Sequence, residues 1–236
     1  MPEQAERKAF TEGLDELNEN MVTLAELAKV AIRKAVDSLE KGGGGDVDAV
    51  FTLDQEIYGL KQEITRRCVD LIALHAPVAR DLRTITASLE ITTDLDRIGR
   101  YSRDIAEIAR QLPAEGLAQM QRLGGLVKMG ELTIRMIDLA TDAFVHRDAE
   151  PVKNMIEEDD AVDNLHDQLF HQLVQLMADR QIAPDLGAQL ILINRYFERL
   201  ADHGVNIGDH VAYMVTAQRL TRVKRPRSGI ALGPKY

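Results

Sequence analysis

The chain carries apolar residues at helical spacing along almost its whole length, and this pattern leaves few folds open to it. Residues three and four apart lie on one face of an α-helix, so such a stripe predicts amphipathic helices that pack side by side. Proline and glycine interrupt the stripe at intervals of roughly 30 residues, which is where helices end. The pattern predicts six helices, over residues 7–39, 46–74, 77–112, 115–146, 150–180 and 184–217.

The second half of the chain repeats the first half. A shift of 105 residues places Asp54 on Asp159, and a shift of 102 residues places Asp96 on Glu198, each with matching apolar neighbours. A fixed period indicates duplicated structural units. The predicted fold is therefore all-α, a tandem duplication of two antiparallel three-helix bundles with a hinge near Pro113. The predicted units are 1–113 (first three-helix repeat), 114–218 (second three-helix repeat) and 219–236 (a basic C-terminal tail).

The composition narrows the class of protein further. Hydrophobic residues make up 45% and charged residues 28%, as in a soluble globular chain, while aromatic residues at 4% without Trp disfavour a β-sandwich or barrel. No apolar stretch approaches the ~20 residues of a membrane span, and no secretory signal pattern is present, so we expect a cytoplasmic protein. The single cysteine, Cys68, excludes an internal disulfide and is predicted to be a small buried hydrophobe.

The charge is distributed unevenly along the chain. The net charge of −9 argues against nucleic acid as a partner, because binding a duplex needs a basic face. Residues 219–236 nevertheless contain six basic and no acidic residues. We expect this tail to be mobile and to contribute little to the core. It is either a solvated terminus or an arm that contacts an acidic protein or the anionic inner membrane surface.

The sequence contains no motif typical of an enzyme. It has no Glu-x-x-His pair of a di-iron oxidase, no Gly-rich phosphate loop and no nucleophile motif. The glycines at 42–45 lack a following Lys and Ser or Thr, so they are interpreted as a flexible helix connection. We predict that the protein is not an enzyme. The histidines outside the acidic segments, His75, His146, His171 and His210, are interpreted as helix caps or surface residues.

Two related stretches carry a resemblance to a known family. Residues 77–83 (PVARDLR) followed by 94–99 (DLDRIG), and residues 196–203 (YFERLADH) followed by Asn206 and Ile207, resemble the signature of the PhoU family of phosphate-transport regulators. The resemblance covers residues 10–215. It implies a tandem pair of three-helix bundles and negative control of phosphate uptake and phosphate-starvation signalling. The implied partners are a phosphate ABC transporter ATPase, a sensor histidine kinase and a second copy in a homodimer.

The resemblance also implies a metal site. The family's metal motif is an acid, three residues and then Asp, and the second half has it twice, as Asp159 with Asp163 and as Glu198 with Asp202. Residues four apart share a helix face, so two adjacent helices present four carboxylates, the ligands that hard cations prefer. The implied cofactor is a divalent or ferric ion, iron first, with magnesium and manganese as alternatives. On a helical wheel, however, Glu198 and Asp202 lie opposite the apolar stripe, as solvated charges do.

The first half departs from the motif. It keeps Asp54 and Asp96, but basic side chains occupy neighbouring positions of the motif. This predicts ion pairs rather than a metal site. A metal-dependent helical-bundle enzyme and a metal-free adaptor remain the alternative functions. At the positions equivalent to Asp163, His166 and Asp202, the first half has Tyr58, Lys61 and Arg100.

Overall fold

The computed structural model describes residues 2–41 and 46–220, and within these ranges every regular element is an α-helix. The all-α prediction is therefore confirmed. None of these helices is long and apolar enough to cross a membrane. The described helices are α1 (Pro2–Glu40), α2 (Val47–His75), α3 (Ala79–Gln111), α4 (Ala114–Leu123), α5 (Gly125–His146), α6 (Glu150–Lys153), α7 (Met155–Ala178) and α8 (Pro184–Thr216).

Two of the six predicted helices are each divided in two. The predicted helix 115–146 breaks at Gly124, whose φ of 61° is left-handed and ends the regular backbone between α4 and α5. The predicted helix 150–180 breaks at Asn154, between the single turn α6 and the long α7. The predicted connection at 42–45 lies outside the described residues. The assignment of 1–113 and 114–218 as two units stays a prediction.

Helix ends follow from local sequence. Asp46 caps α2, because its side chain accepts a hydrogen bond from the backbone N–H of Ala49 at 3.1 Å. The same helix ends at Ala76, which takes a left-handed conformation directly before Pro77. Helix α3 ends at Leu112, whose extended backbone precedes Pro113. Proline thus ends the helices where the sequence predicted.

The two halves pack around one shared core. Helices α3 and α8 lie side by side and antiparallel, since Arg83 near the start of α3 donates to the carbonyl of Met214 near the end of α8 at 3.3 Å. Helix α2 flanks α3, helix α7 flanks α8, and α1 and α5 pack behind them and against each other. One contiguous apolar cluster includes residues from both halves, among them Ile91, Leu95 and Ile207. Cys68 lies in this cluster, fully buried as predicted.

A buried lysine joins the two halves where α1 packs against α5. Lys29 on α1 is 5% exposed and pairs with Glu26, at 2.6 Å, and with Asp138 on α5. Burial opposes the ammonium charge, but hydrogen bonds to Asp138 and Glu26 outweigh it and raise the pKa of Lys29. The ammonium therefore stays charged, and it ties α1 to α5.

The first two residues of the predicted basic tail contact Asp209 of α8. Arg219 Nη1 lies 2.8 Å from Asp209 Oδ2, and the backbone N–H of Leu220 donates to Asp209 Oδ1 at 2.7 Å. Leu220 also packs against the core. The expectation that the segment contributes little to the core is wrong for Leu220, whereas the side chain of Arg219 is 55% exposed and contacts Asp209. The remainder, residues 221–236, lies outside the described residues.

We expect two C-terminal truncations to differ in stability. Deleting residues 221–236 should leave the melting temperature almost unchanged, whereas deleting 219–236 also removes both contacts to Asp209. Hydrogen bonds to a carboxylate contribute about 1.5 to 3 kcal/mol each at most, and 1 kcal/mol corresponds to about 2 to 4 °C in a chain of this size. Thermal unfolding followed by circular dichroism measures the difference. Equal melting temperatures for the two truncations would show that the contacts to Asp209 stabilise nothing.

Candidate functional site

The four predicted metal ligands lie on the two neighbouring helices α7 and α8. The side-chain amide of Asn194 on α8 donates to the backbone carbonyl of His166 on α7 at 2.9 Å, and this contact sets the register of the pair. The two helices are antiparallel. One turn from Asn194 toward the C-terminus of α8 therefore lies beside one turn from His166 toward the N-terminus of α7. The predicted ligands therefore form two levels. Glu198 lies level with Asp163, and Asp202 lies level with Asp159.

The burial of these residues differs from the helical-wheel expectation. Glu198 is 1% exposed, so its interpretation as a solvent-facing charge is wrong. The physical reason is that α7 packs against α8 close to this level, as the contact between Asn194 and His166 one turn away shows. The other three carboxylates, Asp159, Asp163 and Asp202, are intermediate in exposure. The site is thus a partly buried row with one deeply buried carboxylate.

Two arginines of α8 accompany its carboxylates. Arg195 pairs with Glu198, and Arg199 Nη1 lies 3.6 Å from Asp202 Oδ2. Both arginine side chains are about one third to one half exposed, so they approach from the rim of the site. Within residues 2–41 and 46–220, no three His, Cys, Asp or Glu side chains form a group placed to hold a metal ion. A bound cation would therefore require the carboxylates to turn toward one another.

The equivalent carboxylates of the first half are held by cations, as the sequence predicted. Lys61 Nζ on α2 lies 2.8 Å from Asp96 Oδ2 on α3, and Arg100 Nε lies 3.5 Å from the same oxygen. Asp54 pairs with Arg103 at 2.9 Å, which the sequence analysis did not name. Lys61 crosses from α2 to α3, so its ammonium occupies the space between these two helices beside the buried Asp96.

A further polar cluster joins the two halves where α3 meets α8. Asp94 on α3 is 8% exposed, and its carboxylate faces three side chains of α8. His203 Nδ1 lies 2.8 Å from Asp94 Oδ1, Asn206 Nδ2 donates to the same oxygen at 3.3 Å, and His210 Nε2 lies 3.4 Å from Oδ2. Burial alone would raise the pKa of Asp94, but hydrogen bonds from His203 and His210 hold it below its ordinary value.

The sequence analysis missed this cluster. It interpreted His210 as a cap or surface residue, and this is wrong, because the side chain is 14% exposed and contacts Asp94. The only signal was the presence of Asp94, His203 and Asn206 in the two signature stretches. Nothing in a single helix indicates that these residues meet, since the contact depends on how α3 and α8 pair.

The duplication produces a different contact on the opposite side of the same interface. The shift of 102 residues places Asp94 on Tyr196 and Tyr101 on His203. Where one side has the Asp94–His203 contact, the other has Tyr101 and Tyr196 with ring centroids 5.5 Å apart. Tyr101 also stacks on His203, with centroids 5.7 Å apart, and so connects the two sides. The interface is therefore symmetric in shape and asymmetric in charge.

The chain is built from two antiparallel three-helix repeats, which pack against each other through their third helices, α3 and α8. Each repeat carries acidic side chains between its second and third helices. This arrangement defines a class of tandem-repeat helical proteins. The PhoU domain family matches this chain twice, over residues 21–109 and 126–211. The chain belongs to the PhoU family.

Its relatives and solved neighbours agree with this assignment. The chain is 28% identical over 215 residues to a phosphate-specific transport system accessory protein PhoU homolog of Clostridium acetobutylicum, covering 91% of this chain and 97% of the relative. It is 30% identical to PhoU homolog 2 of Mycobacterium tuberculosis, covering 89% and 98%. The fold matches crystal structures of PhoU from Pseudomonas aeruginosa (TM-score 0.80, 27% identity, 89% and 100% covered) and of the phosphate transport system regulatory protein PhoU from Streptococcus pneumoniae (TM-score 0.82, 26% identity, 90% and 100% covered).

We expect the substitution Asp94→Asn to destabilise the protein by about 1.5 to 3 kcal/mol at pH 7, the scale of hydrogen bonds to a charged group. A carboxyl group whose pKa is lowered by folding contributes stability above its unfolded pKa of about 3.9 and loses that contribution as the pH falls through the folded value. The difference from wild type should therefore be present at pH 7 and shrink below about pH 4.

Urea unfolding at pH 7 and pH 3 measures both effects. Asp15→Asn, which neutralises an exposed carboxylate on α1, is the matched control and should change little at either pH. A loss of stability for Asp94→Asn that does not depend on pH would contradict the role given to the Asp94 charge.

Proposed function

We propose that this protein is a regulatory accessory protein of a phosphate transport system. The observation that carries the proposal is the match of the PhoU domain to both halves, together with relatives whose names describe accessory proteins of phosphate-specific transport. The same names support a regulator rather than an enzyme. The alternatives are a metal-dependent helical-bundle enzyme, which needs an open coordination position and a positioned base, and a metal-free adaptor.

The proposed partners are the ATPase of a phosphate ABC transporter and a sensor histidine kinase, in the cytoplasm, with the protein acting as a homodimer. A regulator of this kind binds other proteins, and it controls uptake and phosphate-starvation signalling negatively. The basic residues of the tail at 219–236 would add weak attraction to the anionic inner membrane surface, at ~1 kcal/mol for each basic residue held near lipid. This attraction would keep the protein close to the transporter.

A binding experiment with purified components tests the partners. The tagged full-length chain is incubated with the transporter ATPase of its own organism, and separately with the sensor kinase, and an unrelated acidic helical protein serves as the control. We expect one or both partners to be retained by the tagged chain and not by the control. Retention of neither, or turnover of a phosphate ester or of oxygen by the chain with added metal, would contradict the proposal.

We further propose that the second half binds a divalent or ferric ion through Asp159, Asp163, Glu198 and Asp202. Two polar atoms support the fit. Asn194 Oδ1 and His166 Nδ1 are buried without a hydrogen-bond partner among the described residues. The candidate ions are iron, magnesium and manganese, because carboxylate oxygens suit all three.

The first half does not fit a metal ion. Its two carboxylates already contact Lys61, Arg100 and Arg103, and the Lys61 ammonium lies between the helices. In the second half the cations are Arg195 and Arg199, which come from the same helix as their partners and lie at the exposed rim. Arg195 and Arg199 are 32% and 45% exposed and can turn into solvent when a metal ion binds, whereas Lys61 is 20% exposed and bridges two helices.

The metal proposal predicts an asymmetric response to mutation. Glu198→Gln combined with Asp202→Asn should abolish most bound metal, because it removes the charge of two of the four ligands. Asp96→Asn, the matched change in the first half, should leave the metal content nearly unchanged. Elemental analysis of protein purified without chelator measures the three samples. Equal metal in all three, or loss with Asp96→Asn alone, would show that the acidic row of the second half is not the site.

A further inference from the structure

A series of polar contacts runs from the interface between α3 and α8 to the C-terminal segment. His210 on α8 lies in the middle of this series, and its side chain is 14% exposed. Its Nε2 lies 3.4 Å from Asp94 Oδ2 on α3, and its Nδ1 lies 3.2 Å from Arg219 Nη1. Arg219 is the first residue of the predicted basic tail. His210 therefore contacts both the interface of the two repeats and the start of the tail.

The chemistry of these two partners determines which ring nitrogen of His210 carries the proton. A guanidinium has only N–H donors, so the contact with Arg219 requires a lone pair on Nδ1. The pKa of Asp94 is below its ordinary value in spite of burial, so its carboxylate is ionised at pH 7 and can only accept. One form of the ring satisfies both contacts, namely the neutral tautomer that carries its proton on Nε2.

A second proton on the ring would change these two contacts in opposite directions. An imidazolium donates from both nitrogens, so Nδ1 of His210 could no longer accept from Arg219, and two cations would face each other across 3.2 Å. The contact between Nε2 and Asp94 would instead become charge-assisted and stronger. Protonation therefore loosens the C-terminal segment and tightens the contact between α3 and α8.

The other titratable groups that contact Asp94 and Arg219 come from α8 itself. His203 Nδ1 lies 2.8 Å from Asp94 Oδ1, so it shares this carboxylate with His210. Asp209 Oδ2 lies 2.8 Å from Arg219 Nη1, and the guanidinium lies over the ring of Tyr213 at 5.3 Å from its centroid. When the His210 ring is charged, Asp209 and Tyr213 still contact Arg219. Protonation thus increases the population of open conformations of the segment rather than detaching it completely.

We propose that His210 is a pH-sensitive latch for the C-terminal segment. The neutral ring accepts from Arg219 and holds the first residues of the basic tail against α8, whereas the charged ring releases Arg219 and binds Asp94 more tightly. Residues 219–236 contain six basic and no acidic residues. The protonation of His210 therefore determines how firmly the start of this basic segment is held. The inference depends neither on the proposed metal binding nor on the proposed partners.

Amide hydrogen exchange of the full-length chain, followed by NMR at about pH 7.5 and about pH 5.5, tests the latch, because histidine side chains change charge in this range. The reporter is the backbone N–H of Leu220, which donates to Asp209 Oδ1 at 2.7 Å beside the Arg219 contact. Its protection factor corrects for the effect of pH on exchange itself. In wild type this factor should fall by about fivefold to tenfold at the lower pH, the scale of one lost hydrogen bond. Equal protection factors at the two pH values would overturn the proposal.

Three variants identify the group responsible. His210→Asn is the main one, because the amide oxygen of asparagine replaces Nδ1 as an acceptor and gains no proton, so Leu220 should stay protected at both pH values. Arg219→Gln should lower the protection of Leu220 at the higher pH and remove its dependence on pH. His171→Gln, which changes an exposed histidine on α7, should behave as wild type. A fall in His210→Asn as large as in wild type, or an undiminished fall in Arg219→Gln, would contradict the proposal.

Nitrogen NMR of the wild-type His210 ring is a second test, and it holds even if a variant fails to fold. At the higher pH the ring should carry its proton on Nε2, and at the lower pH both nitrogens should be protonated. A neutral ring with its proton on Nδ1 could not accept from Arg219 and would refute the latch. A ring that stays neutral at the lower pH would likewise refute its dependence on pH.

Discussion

The antiparallel contact between α3 and α8 is the interaction on which the rest of the structure depends. It brings the apolar faces of the two repeats into one core, and it forces buried polar groups from both halves to find partners across the interface. Asp94 meets this requirement through His203, Asn206 and His210. Hydrophobic burial supplies most of the stability of such a core, while the Asp94 cluster fixes how the helices align, because a displaced carboxylate would be left buried and unpaired.

The duplication has preserved the backbone of the two repeats while their buried charges have diverged. In the first repeat, Lys61 and Arg103 neutralise the carboxylates from within the chain. In the second repeat, the position equivalent to Lys61 is His166, and Glu198 and Asp202 are paired with Arg195 and Arg199 of their own helix. The two repeats therefore neutralise their buried carboxylates differently, across two helices in the first and along one helix in the second.

The sequence was sufficient for features that depend on one helix or on the repeat itself. The apolar period predicted the helical class, the prolines at 77 and 113 predicted helix ends, and the shifted alignment predicted the ion pairs of Asp96. The sequence was not sufficient where the packing of another helix determines whether a side chain is buried. A helical wheel has one apolar stripe, so it placed Glu198 in solvent although α7 covers it. His210 was missed for the same reason, because only the pairing of α3 with α8 brings it to Asp94.

Differential scanning calorimetry of the full-length chain tests most directly whether the two repeats form one unit through α3 and α8. Because they share one core, the protein should unfold in a single transition whose calorimetric enthalpy equals the van't Hoff enthalpy. Two resolved transitions, or a calorimetric enthalpy well above the van't Hoff value, would show that the repeats unfold independently. Either result would contradict the dependence of the structure on the contact between α3 and α8.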